Sequence, residues 1–164
     1  MRTEYKKIVP SDVYITIFER EPEEAELWTG YVANDFGNRA SGNDFVDVFA
    51  GIIRKYGHIS MNECARMMKI TREELSITMQ TLSGASALKW RDQYLMMACC
   101  ELLEESEMRM TEISKRMGFT SAAVFSRFFY KASGFQPIEW RIYKRTGKRY
   151  IYHYNDREGG IPYQ

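Results

Sequence analysis

The chain has 164 residues, 45% of them hydrophobic, enough for one moderate domain or two very small ones with a buried core. Its formal charge of +1 hides opposed regions: from Arg109 to Arg149 ten bases stand against only Glu112 and Glu139, while acids gather around Glu19 to Glu26 and Glu101 to Glu107. No apolar run approaches the roughly 20 residues of a membrane span, Pro10 and Asp12 interrupt the N-terminus before a signal sequence develops, and Cys64, Cys99 and Cys100 have neither disulfide-framework nor metal-ligand spacing, so a cytoplasmic protein with reduced thiols, no metal and no cofactor is expected.

Taken in order, residues 1–43 read as an N-terminal appendage. Val13 to Glu19 is rich in β-branched and aromatic residues and predicts a strand. Pro22 with Glu23 and Glu24 predicts a helix to about Val32, and the glycines that follow predict a loop. From Asp44 a stripe of Phe45, Val48, Phe49, Ile52 and Ile53 predicts a helix ending near Tyr56-Gly57. Ser60, with Glu63 in capping-box position, opens a second helix with Cys64, Ala65 and Met68 inward. Thr71 opens a third, with Leu75, Met79 and Leu82 inward and Gly84 closing it. Ser86 starts a long helix whose candidate core is Leu88, Trp90, Tyr94, Leu95, Cys99, Leu102 and Leu103. Its roughly 20 residues would span about 30 Å, near one turn of B-DNA.

Met110 to Arg141 carries the most information. A first amphipathic segment, with Ile113 and Met117 inward, stops at Gly118. After Thr120-Ser121 a second begins, with Val124, Phe125, Phe128, Phe129 and Ala132 on one helical face. The other face presents Ala122, Ala123, Ser126, Arg127, Tyr130 and Lys131, small at its start, then polar, then basic. A short helix, a tight glycine-containing turn and a helix with such a face is the helix-turn-helix pattern. Beyond it, Tyr150 to Tyr154 alternates and predicts a strand, for which Val13 to Glu19 is the economical partner.

Gly118-Phe119, Ser121, Phe125-Ser126-Arg127, Phe129, Gly134, Pro137 and Trp140-Arg141 resemble the signature of the AraC/XylS transcription regulators. The resemblance implies two helix-turn-helix modules joined by a long helix: a predominantly all-α fold over residues 44–146, with a small β appendage made from 1–43 and the tail 147–164. It implies a sequence-specific regulator whose partner is double-stranded DNA, with RNA polymerase or another regulator as a further partner. Larger members carry a ligand-binding domain that residues 1–43 are too few to enclose. Where the family's first reading helix carries cations, this chain has Ile77 and Gln80, and Leu95 stands where the linker helix commonly has arginine, so the second module is expected to dominate DNA reading.

The candidate DNA-binding residues follow. Arg127 can donate bidentately to guanine O6 and N7 or clamp a phosphate. Ala122 and Ala123 permit close approach and contact with thymine methyls, and Ser126 lies beside them. Thr120 and Ser121 suit phosphate at the helix N-terminus, where Ser121 also serves as N-cap. Arg116 and Lys131 suit phosphate, as do Arg141, Lys144 and Arg145. Arg72, Glu73 and Ser76 form the corresponding face of the first module. No nucleophile elbow, H-E-x-x-H or P-loop run is present, so no enzyme is expected. The rival reading is a protein-interaction module on a helix-turn-helix scaffold with little DNA affinity.

Overall fold

The computed structural model describes residues 5–18 and 37–149. Among these residues there are eight helices: α1 Pro10–Val13, α2 Asp44–Tyr56, α3 Met61–Met67, α4 Arg72–Ser83, α5 Ala87–Glu105, α6 Met110–Arg116, α7 Ala122–Ser133 and α8 Pro137–Thr146. No helix among them is long and apolar enough to cross a membrane. The chain divides into two compact units, Met1–Ala98 and Cys99–Gln164.

In the first unit, α2 begins at Asn43, whose side chain accepts from the Val46 N–H, and buries Val46, Phe49, Ala50 and Ile53. The buried arc is rotated from the expected stripe: Val48 is exposed and Phe45 and Ile52 are half-buried, because small Ala50 lets the helix approach its neighbours on that side. Ser60 caps α3 through the Glu63 N–H, but the Glu63 carboxylate pairs with Arg66 at 2.7 Å instead of closing a capping box. Thr71 and Glu74 do form a full box at the start of α4, which buries Leu75 and Met79. Ser86 Oγ accepts from the Lys89 N–H at the start of α5. Leu88, expected in the core, is exposed, whereas Trp90, Tyr94 and Leu95 are fully buried. Phe49, Trp90, Tyr94 and Tyr14 form a chain of ring contacts with centroids 5.3 to 6.0 Å apart.

The N-terminal segment belongs to this unit and is not the expected strand. Pro10 at the first helical position and Asp12, which accepts from the Val9 N–H, set a single helical turn ending at Val13. Tyr14 then makes an isolated antiparallel bridge to Asn38, and residues 15–18 continue without a ladder. The local cap and proline outweigh the β-propensity of the run, which has no neighbouring strand among the described residues. The helix expected from Pro22 and the strand expected at Tyr150 to Tyr154 lie outside the described residues.

The second unit is built on aromatic packing. Phe119 contacts Phe125 and Phe128, and Phe129 contacts Phe125 and Trp140. Phe135 meets Trp140 and Tyr143, and every one of these centroid separations lies between 5.1 and 6.1 Å. Ile113, Met117, Phe125 and Phe129 are buried; Val124 and Phe128 are half-buried, and Ala132 is exposed. Pro137 opens α8, where the Glu139 carboxylate accepts from the Gln136 N–H.

Candidate nucleic-acid interface

The two units repeat one backbone plan. In the first turn the Lys69 N–H donates to Arg66 O and the Ile70 N–H to Ala65 O; in the second the Gly118 N–H donates to Lys115 O and the Phe119 N–H to Ser114 O. Gly118 has φ 73°, the left-handed region where glycine is unstrained. Lys69 holds φ 58° with a full side chain, at a cost of about 1 kcal/mol. The second helices of the two units, α4 and α7, also end alike. Ser83 Oγ donates to Met79 O before left-handed Gly84, as Ser133 Oγ donates to Phe129 O before left-handed Gly134. Trp90-Arg91 and Trp140-Arg141 follow at matching positions. Each arginine is buried and donates to a backbone carbonyl, Arg91 to Ile59 at 2.7 Å and Arg141 to Leu103 at 2.9 Å.

On α7, Ser121 caps the helix by accepting from the Val124 N–H at 3.2 Å. Thr120, Ser121, Ala123, Arg127, Tyr130 and Lys131 are exposed, and Ala122 and Ser126 are half-buried. With Phe125 and Phe129 held in the core, the 3.6-residue period turns Ala123, Ser126, Arg127 and Tyr130 outward as one strip. Neither Arg127 nor Lys131 forms an ion pair with another described residue. Arg116 is exposed on α6, with Nη1 3.9 Å from Met108 Sδ.

Three of the expected phosphate-binding bases have other work. Arg141 is buried against the carbonyls of α5, and that burial, followed by the nearby Arg145 charge, pushes its pKa below the usual arginine value. Lys144 pairs with Glu104 at 3.3 Å and lies over the Trp140 ring, and Arg145 pairs with Glu107 at 2.8 Å. The basic surplus of this region is therefore partly consumed within it. Sequence reasoning missed Arg149, which donates to Gly134 O at 2.8 Å and sits 4.0 Å from the centre of the Phe135 ring; a cation next to a helix C-terminus was the available signal.

On α4, Arg72, Glu73, Ser76, Ile77 and Gln80 are exposed, Ile77 by 68%. The face is nearly neutral, with one base and one acid at its start. The turn before it carries the exposed Lys69, a cation that the motif pattern had not singled out.

Two short helices, each followed across a tight turn by a twelve-residue helix with an exposed outer face, define a tandem helix-turn-helix fold. Residues 64–142 match the family described as "Helix-turn-helix domain". The arabinose operon regulatory protein of Salmonella typhimurium is 27% identical over 84 residues, which are 51% of this chain and 30% of that protein, so the chain aligns with less than a third of that relative. The C-terminal domain of AraT, a response regulator from Geobacillus stearothermophilus, superposes with a TM-score of 0.56 at 24% identity, covering 73% of this chain and 98% of that one. The DNA-binding domain of AdpA, solved in complex with a target DNA, superposes at 0.54 with 20% identity, covering 63% and 96%. Over residues 64–142 the chain carries a helix-turn-helix domain, and it is similar to the arabinose operon regulatory protein over about half of its own length.

Proposed function

We propose that this protein is a sequence-specific DNA-binding transcription regulator that reads duplex DNA mainly through α7. The observation that carries the reading is the outer strip of α7, small at Ala122 and Ala123 and ending in the exposed cations Arg127 and Lys131, which form no ion pair among the described residues. A surface that is narrow first and cationic later suits entry into the major groove. In this reading Arg127 donates to guanine, Ala122 and Ala123 meet thymine methyls, and Thr120, Ser121, Arg116 and Lys131 hold phosphates. On the first unit Arg72 meets the backbone, while Glu73 and Ser76 make the few polar contacts left to α4.

The exposed Ile77 and the near-neutral face of α4 favour a second role for the first unit, as a docking surface for RNA polymerase or another regulator. Selection of bound sites from random duplex DNA, followed by a salt titration of the best site, tests the main reading. A recovered consensus with affinity falling steeply as salt rises is expected, through counterion release. Failure to enrich any sequence, with salt-insensitive capture of a protein partner, would leave only the docking role.

A further inference from the structure

An open cleft of about 670 Å³ lies wholly within the first unit. One wall is the N-terminal segment around Lys6 and Lys7, another is the Arg39–Asn43 stretch, and the floor is the end of α4 at Thr81 and Leu82. The walls are fixed. The Ile8 N–H donates to Leu82 O at 2.9 Å, the Trp90 indole donates to Ile8 O at 3.0 Å, and the Lys7 ammonium reaches Thr81 O at 2.8 Å. Opposite them, the Arg39 N–H donates to Val13 O and the Ser41 N–H to Asp47 Oδ1.

The chemistry of the lining is one-sided. Lys6, Lys7 and Arg39 contribute cations and Asp12 is the lone acid. Asp12 is already taken, by Lys6 at 3.0 Å and by the Val9 N–H at 2.9 Å. The Lys6 and Lys7 ammonium groups each keep donors beyond the single bonds they make, and the Arg39 guanidinium donates to no other described residue. Donors therefore outnumber acceptors around a space of the size small-molecule sites usually have. Gly42, at φ +87° with open space where a Cβ would stand, leaves the rim unobstructed.

We propose that this cleft binds a small organic anion carrying two acidic groups, carboxylate or phosphoryl, with Arg39 gripping one group and Lys7 and Lys6 the other. Such a ligand would bridge the N-terminal segment, the Arg39–Asn43 stretch and the C-terminal end of α4. The site is independent of the DNA-reading surface, so its test does not rest on that reading.

The test is a titration of the full chain with citrate, and separately with pyrophosphate, at constant ionic strength set by sodium chloride and followed by amide chemical shifts. Saturable shifts at Lys7, Arg39, Gly42 and Leu82 are expected for at least one of the two probes. Arg39→Met and Lys7→Met, the second keeping the stem beside Gly84, should each weaken that binding about tenfold while leaving far-UV dichroism unchanged. Three results would overturn the proposal. Shifts could fail to saturate, they could be as strong in Arg39→Met, or they could spread over Lys115 to Lys131 as a general response of basic surface. A short random-sequence duplex that moves the same cleft amides and displaces the probe would also overturn it, by making the cleft a DNA-backbone contact.

Discussion

The two helix-turn-helix units share their hydrogen-bonded turns, serine-glycine helix ends and buried tryptophan-arginine pairs, yet differ at most of the residues that do not serve those features. The second unit holds α7 with Phe125 and Phe129; the first holds α4 with Leu75 and Met79 at the same places. The second puts Gly118 in the left-handed turn position, and the first accepts Lys69 there. The second faces solvent with Arg127 and Lys131, the first with Ile77 and Gln80. Backbone geometry is thus specified by a short list of residues, and the outer face is free to diverge into a cationic surface on one unit and a near-neutral one on the other.

The contrast can be broken first in the core. Phe129→Ala should destabilise the second unit by about 3–5 kcal/mol and Met79→Ala the first by about 2–5 kcal/mol, each read by amide exchange; a loss spread evenly over both units from either change would contradict separate cores. On the outer faces, Arg127→Ala should cost about 1–3 kcal/mol of specific binding and relax selection at one base pair, whereas Lys131→Ala should weaken all sequences alike. Equal, sequence-blind loss from both would make Arg127 a phosphate clamp. Ile77→Arg should raise DNA affinity and steepen its salt dependence by about one unit, and no gain would mean that α4 stays off the duplex.

The turns offer a smaller and opposite effect. Lys69→Gly should stabilise the first unit by about 1 kcal/mol and Gly118→Lys should destabilise the second by a similar amount, measured by urea denaturation. The smallest effect concerns acid. Burial, and after it the Arg91 charge, pushes the pKa of His58 below its ordinary 6.5. The unfolded chain therefore takes the proton first, and stability of the first unit should fall as pH drops through about 6.5. His58→Gln should flatten that step in the first unit; the second unit's one histidine, His153, lies outside the described residues.

The helices and their caps were legible because they depend on local chemistry. Ser60, Thr71, Ser86 and Ser121 accept the N–H bonds that their positions imply, and the glycines after α4 and α7 take left-handed conformations. The face of α2 was misjudged because its apolar residues cover a wide arc, and periodicity does not say that packing will select Val46 and Ala50 over Phe45 and Val48. The N-terminal run misled because β-branched residues describe a preference, whereas Pro10 and Asp12 impose a turn. Of the candidate interface, the strip from Ala123 to Lys131 was readable from helical phase alone. The fates of Arg141, Lys144 and Arg145 were not, because a basic side chain reads the same whether it meets solvent, a carbonyl or a glutamate far along the chain.

The cysteines, chemically quiet in the folded protein, offer a built-in clock. Burial pushes the Cys64 thiol up to about 11 and the fully enclosed Cys99 higher still. Near neutral pH neither presents a thiolate, so neither reacts until its surroundings part. Cys64 lies in the first unit and Cys99 in the second. Their separate rates of labelling by a thiol reagent, told apart by mass spectrometry of peptides, would time the opening of each half in the unmodified protein.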